Sequence, residues 1–255
     1  MTTERCVQEK IEMTTFEWVY LFLEPFMPVL RGKVRHDLKR ILRRLPKGAL
    51  MLDVGGRKSP YTIGLPAEVI ILDLPREREE QYLLNLGVTQ SILQQLHRRR
   101  SNIKSVILED MAHCTIPSDS VDVVSCVEVL EHVRIVEPFL QQVQRVLKPG
   151  GFFYMTTPNG DYIRNEPPNY NPDHVRHFTR DELNTLLSRY FDDVQVEYGI
   201  RTGKYRLKGL YALQLRRPLS LIQSAISNII NRLESRKLEN QPRRTAHLFA
   251  LSRKP

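Results

Sequence analysis

Short apolar runs alternate with longer amphipathic runs along most of this chain. Residues 49–54, 68–73, 103–108, 121–126 and 152–157 read as strands. Residues 78–100 and 129–147 read as helices between them. The first is interrupted at Gly87, and the second is closed by a Lys148-Pro149-Gly150-Gly151 turn. Upstream, Val34, Leu38, Ile41, Leu42 and Leu45 share one face of a helix over 33–45, which Pro46-Lys47-Gly48 breaks. Downstream, Thr179 and Glu182 form a capping box that opens a helix running to about Tyr190. Residues 194–198 and 247–251 supply two more strands. A helix over 219–236 carries Ile222, Ile226, Ile229, Ile230 and Leu233 on one side, a face that reads as core packing or a dimer contact. Strand and helix in alternation predict the α/β class, with a mostly parallel sheet covered by helices on both faces.

At 255 residues, the chain suits one such domain with extensions. The expected division is an N-terminal helical extension or lid over 1–46 and a main domain over 47–255, with a basic helical insertion at 200–244. Phe16, Trp18, Tyr20, Phe22, Phe26, Tyr162 and Tyr170 are the aromatic candidates for an apolar lid. The polar N-terminus shows no signal peptide. The apolar stretch 16–30 is broken by Glu17, Glu24, Pro25 and Pro28, and is too short to span a bilayer. Cys6, Cys114 and Cys126 lie far apart without a CxxC pair. They predict neither a disulfide framework nor a zinc site, and suit a reducing, cytoplasmic compartment.

Lys and Arg number 38 against 29 Asp and Glu, a net charge of +9. Basic clusters at 33–44, 98–100, 201–217 and 243–244 leave open a nucleic-acid partner or, with the 219–236 helix, peripheral contact with a membrane. The clusters are scattered over several elements, as solvated helix faces are. They rank nucleic acid behind a small molecule as substrate.

The most informative segment is Met51-Leu52-Asp53-Val54-Gly55-Gly56-Arg57-Lys58-Ser59-Pro60. A strand ends in a carboxylate and breaks into two glycines, whose missing Cβ atoms let backbone approach a ligand. Twenty residues on, a second strand ends in Asp73, the place of a carboxylate that chelates ribose hydroxyls in a Rossmann-like sheet. Together they predict a nucleoside-bearing cofactor across the carboxyl ends of parallel strands.

Four blocks in order extend this: MLDVGGRKSPY, VIILDL, ILEDMAHCTIPSDSVDVVSCVEVLEHV and RVLKPGGFFYMTTPNG. Over about residues 47 to 200 they resemble the class I S-adenosylmethionine-dependent methyltransferases, especially the small-molecule group often labelled type 11. The glycine loop departs from that group's G-x-G-x-G, since Ser59 stands near the third glycine and Arg57 occupies the turn. The resemblance implies a Rossmann-like, mostly parallel seven-stranded sheet with an antiparallel last strand. It implies S-adenosyl-L-methionine as cofactor and S-adenosyl-L-homocysteine as product.

The resemblance also assigns roles to residues. Asp73, with Leu74 beside it, takes the ribose. Asp110 accepts from the adenine amine, with Met111 against the ring. Asp53, Gly55, Gly56, Arg57 and Glu128 frame the methionine end. Methyl transfer to oxygen calls for a base, and histidine suits one near neutral pH. His132 and His177 are the catalytic candidates, with His174 as a third. The spacing of His174 and His177 gives no evident third ligand, so no metal is expected. Ser125-Cys126-Val127-Glu128 stands where exocyclic-amine methyltransferases carry an Asn/Asp-Pro-Pro-Tyr motif. The acceptor is therefore read as a hydroxyl of a natural product, sugar or lipid-linked molecule. An RNA or DNA methyltransferase and a catalytically degenerate binding protein are the alternatives.

Overall fold

The apolar runs fold as β1 (Leu50–Val54), β2 (Glu68–Asp73), β3 (Ile103–Leu108), β4 (Val121–Val127), β5 (Leu147–Pro158), β6 (Asp192–Arg201) and β7 (Thr245–Arg253). The computed structural model describes residues 12–56, 60–75, 88–167, 170–202 and 218–255. The strands form one seven-stranded sheet in the order β3-β2-β1-β4-β5-β7-β6. β1 to β5 pair in parallel, and β7 runs antiparallel to both β5 and β6. The chain reverses its direction of travel across the sheet between β1 and β4. Ligands of open α/β sheets bind at such a switch point, beyond the carboxyl ends of the strands.

Six helices accompany the sheet among the described residues: α1 (Thr15–Leu23), α2 (Val29–Leu42), α3 (Gln90–Arg99), α4 (Val136–Val146), α5 (Arg180–Leu187) and α6 (Pro218–Glu234). Side chains alternate faces along a strand, and this divides the core in two. On one face Leu52, Val54, Val124, Phe153 and Met155 pack with Phe139, Leu140 and Val143 of α4 and Leu183 of α5. On the other, Met51, Val123, Tyr154 and Phe249 pack with Val34, Leu38, Ile41 and Leu42 of α2.

Several elements depart from the pattern. The helix expected over 129–147 divides into a 3-10 turn, Leu130–His132, and α4. Pro138 is the reason. Within a helix starting at 129 its missing N–H would break the ladder, whereas in the first turn of α4 that N–H has no intrahelical partner to lose. The Lys148–Gly151 segment, expected as a turn, already belongs to β5. There the pairing with β4 slips, and Gly150 takes a φ of 74°. Of the helix expected over 78–100, residues 78–87 lie outside the described residues, and α3 forms within the remainder. Between β1 and β2 the described residues contain turns and no α-helix.

The apolar side of α6 is not core. Ile222, Ile226, Ile229 and Leu233 are 40–58% exposed. Of the lid aromatics, Tyr20 is buried while Trp18 and Phe22 face solvent. Among the described residues no helix is long and apolar enough to cross a membrane.

Candidate active site at the strand tips

Asp53, next to last in β1, has its side chain on the α2 face, fully buried. Ser125 on β4, its cross-strand partner, donates to Oδ1 at 2.8 Å, and Thr62 donates to Oδ2 at 3.1 Å. Thr62 in turn accepts from Arg100, and its backbone carbonyl accepts from Asn102 at 2.7 Å. This buried polar chain ties the tips of β1 and β4 to the 60–65 loop. Gly56 lies directly against the Asp53 carboxylate. Gly55 turns the chain with a φ of 70°, and a Cβ there would meet Val129 at 2.6 Å. Its N–H bonds the Leu72 carbonyl at 2.8 Å, which holds the glycine loop beside the end of β2. Arg57 lies outside the described residues.

Asp73 closes β2 one step beyond that bond. Its Oδ1 accepts from the Leu74 N–H at 2.8 Å, and Leu74 itself is exposed. Asp110 follows β3, exposed, and caps the 3-10 turn Met111–His113 through Ala112 N–H at 2.9 Å. The Met111 side chain is buried in the core. Glu109 beside it is taken up by two bonds to Thr115. The Thr115 backbone and hydroxyl donors hold its carboxyl below the ordinary range.

Past β4 the acids and histidines gather. Glu128 has left-handed backbone, φ 54°, a strained geometry for a residue with a Cβ and one that clusters at functional sites. Its N–H bonds Thr156 O at 3.0 Å, and its Oε1 meets Thr156 Oγ1 at 2.7 Å and His247 Nδ1 at 3.1 Å. Burial pushes this carboxyl up, but the His247 and Thr156 contacts outweigh it and hold it low. Glu131 is fully buried and bonded by Thr157 Oγ1 at 3.1 Å. Burial and the charge of Glu128 push it well above the usual carboxylate range. Thr156 and Thr157 are successive residues of β5, so they address these acids from opposite faces of the strand.

The 159–178 loop brings the other histidines. Gly160 lets it close: a Cβ there would lie 2.6 Å from the Phe178 carbonyl, which the Gly160 N–H bonds at 2.8 Å. The loop then docks on the Leu130–His132 turn, with Val175 N–H on Glu131 O at 2.8 Å. His132 Nδ1 meets Asp173 O at 2.8 Å, His174 Nδ1 meets His177 Nε2 at 2.8 Å, and His177 Nδ1 meets Ile163 O at 2.6 Å. Burial, then His132 and His177, lower the His174 pKa to about 4. His174 is thus uncharged near neutral pH. The fold brings His132 and His177 into one cluster with His174 between them.

Sequence reasoning passed over Tyr61, Thr156, Thr157, Glu131 and His247. Tyr61 follows the glycine loop, and burial together with the charges of Glu128 and Asp53 pushes its phenol up. Only Glu131 carried a signal, three residues after Glu128 and next to His132. A cavity of about 700 Å³ lies elsewhere, between α2, β6 and α6, and its lining includes Lys33, Lys39, Arg232 and Arg236. No predicted site residue lines it.

Residues 29–193 match the family model of the methyltransferase domain. A probable S-adenosylmethionine-dependent methyltransferase of Mycolicibacterium smegmatis is 31% identical over 122 residues, 48% of this chain and 46% of that protein. The ubiquinone biosynthesis O-methyltransferase of Pectobacterium atrosepticum is 27% identical over 104 residues, 40% of this chain and 43% of that protein. The chain spans less than half the length of these curated relatives. Two solved structures share the fold. One is a SAM-dependent methyltransferase from Archaeoglobus fulgidus, with a TM-score of 0.56 at 16% identity over 93% of this chain and 100% of that one. The other is Haemonchus contortus phosphoethanolamine N-methyltransferase 2 in complex with S-adenosyl-L-methionine, with a TM-score of 0.54 at 16% identity over 85% of this chain and 51% of that one. The family match covers well over half of the chain, from α2 through β5 and α5, so the chain belongs to the class I S-adenosylmethionine-dependent methyltransferases.

Proposed function

We propose that this chain transfers the methyl group of S-adenosylmethionine to a hydroxyl oxygen of a small molecule. One observation carries the reading: the glycine loop, Asp73, Asp110, Glu128 and the histidine cluster all follow the carboxyl ends of β1 to β5, around the switch point. In this reading Asp73 chelates the ribose diol, because an ionised carboxylate only accepts and can bind two donors. Asp110 takes the adenine amine. Gly55 and Gly56 lie under the methionine end. Asp53 holds the loop from below, and Glu128, whose carboxyl stays ionised, faces the methionine ammonium.

Transfer is an in-line displacement at a carbon already activated by positive sulfur. The protein mainly aligns the acceptor and excludes water. Oxygen is favoured as acceptor by the uncharged His174 beside His132 and His177 and by the absence of an exocyclic-amine motif after β4. The relatives named as ubiquinone biosynthesis O-methyltransferases agree with it. Asp73→Ala is expected to weaken S-adenosylmethionine binding by about 1–3 kcal/mol, the cost of leaving buried donors unpaired. Isothermal titration measures it, and an unchanged dissociation constant would remove Asp73 from the cofactor site.

A further inference from the structure

We infer that Glu131, His132 and His174 form a divalent-cation site beside the strand tips. One ligand atom from each lies within 4.8 Å of the others. Proximity alone would carry little, but the hydrogen bonds around the three side chains fix which atoms are free. A carbonyl oxygen only accepts, so His132 Nδ1 must carry the proton that it gives to Asp173 O. The Nε2 of His132 is then a bare lone pair. From Ile163 inward the protons are fixed in the same way. Its carbonyl takes the proton of His177 Nδ1, so in the neutral ring His177 Nε2 accepts. His174 Nδ1 therefore donates to it, and the Nε2 of His174 is left with a lone pair as well.

Imidazoles that bind metal hold their second nitrogen in this way, donating it to a carbonyl or another fixed acceptor. The third side chain adds an independent sign. Glu131 is fully buried, and its Oε1 has no hydrogen-bond partner, while Oε2 is bonded by Thr157. An unpaired carboxyl oxygen in the interior is costly. A cation bound there would supply the missing partner.

Two imidazoles and one carboxylate suit borderline first-row divalent ions such as Zn²⁺, Co²⁺ or Mn²⁺ better than Mg²⁺ or Ca²⁺, which prefer all-oxygen shells. Three protein ligands leave a coordination position for another molecule. The ion's role rests on the methyltransferase reading above; the site itself does not. The acceptor hydroxyl would bind at the open position and lose its proton to water more readily there. Its oxygen lone pair would form the new bond to the methyl carbon. The carbon–sulfur bond would break with its electron pair returning to sulfur, giving a methyl ether and the neutral thioether product.

The test uses the full chain, stripped with EDTA, dialysed, and titrated with CoCl₂ in the absence of S-adenosylmethionine. Visible absorption and calorimetry are the readouts. One equivalent is expected, with d–d bands of a nitrogen-ligated ion, and Glu131→Gln, His132→Ala and His174→Ala should each weaken it at least about tenfold. His132 is exposed, so its truncation tests the site even where Glu131→Gln, at a buried position, fails to fold. Absence of cobalt binding in the parent chain overturns the site. So does binding that persists undiminished in His132→Ala and His174→Ala. Titrating S-adenosylmethionine into the stripped chain separates the two readings: cofactor binding without cobalt binding rejects the cation site alone, and cobalt binding without cofactor binding rejects the transfer reading alone.

Discussion

Asp53 and Asp73 place the same residue type at the tips of neighbouring strands, yet their surroundings give them different work. Asp53 is buried and accepts from Ser125 and Thr62, whereas Asp73 is only partly buried beside an exposed Leu74. Asp53→Ala is therefore expected to lower folding stability by about 1–3 kcal/mol, since it strands two buried hydroxyls. Urea unfolding reads this, and a stability equal to that of the parent chain would contradict a buttressing role. Gly55 supports a sharper test. Its φ of 70°, and the 2.6 Å that would separate an added Cβ from Val129, mean that Gly55→Ala should cost about 1–3 kcal/mol. Adding Val129→Ala should recover the steric part and leave the backbone part. No recovery would mean that the contact is not what the glycine serves. At this scale the sequence showed carboxylates at strand ends. It could not show that Thr62 reaches back to Asp53, because that bond depends on how the 60–65 loop folds under the glycines.

At the scale of elements, local signals were strong where they act locally. The capping box of α5 is present in full: Thr179 Oγ1 accepts from Glu182 N–H, and the Glu182 carboxylate accepts from Thr179 N–H at 2.9 Å. Thr179→Ala should cost about 1 kcal/mol, read as a lower urea midpoint with an unchanged slope. A loss near zero would show that packing of Leu183 and Leu187 alone holds the helix. Periodicity failed where it met a proline. The apolar positions of 129–147 fit a single helix, and Pro138 moved the start of α4 to Val136. That shift frees Leu130–His132 to form its own turn, and the turn is what places Glu131 against Thr157 and His132 against Asp173. One helix boundary thus decides whether the histidine cluster exists.

For the whole molecule, α2 is part of the sheet's core: Leu38 is fully buried there, while Phe22 of α1 is 77% exposed. Leu38→Ala should destabilise the fold by about 2–5 kcal/mol, and Phe22→Ala by no more than about 0.5 kcal/mol, both by urea unfolding. Equal effects would mean that α2 and α1 pack alike. The class of fold, the order of its strands along the chain and the two acids at the tips of β1 and β2 were set by the sequence alone. Apolar alternation and turn residues act within a few positions, and chain order is carried directly. The spatial order β3-β2-β1-β4-β5-β7-β6, the exposure of α6 and the meeting of Glu131 with His174 were decided only in three dimensions. Each depends on contacts between residues tens of positions apart, and such contacts follow from how whole elements pack.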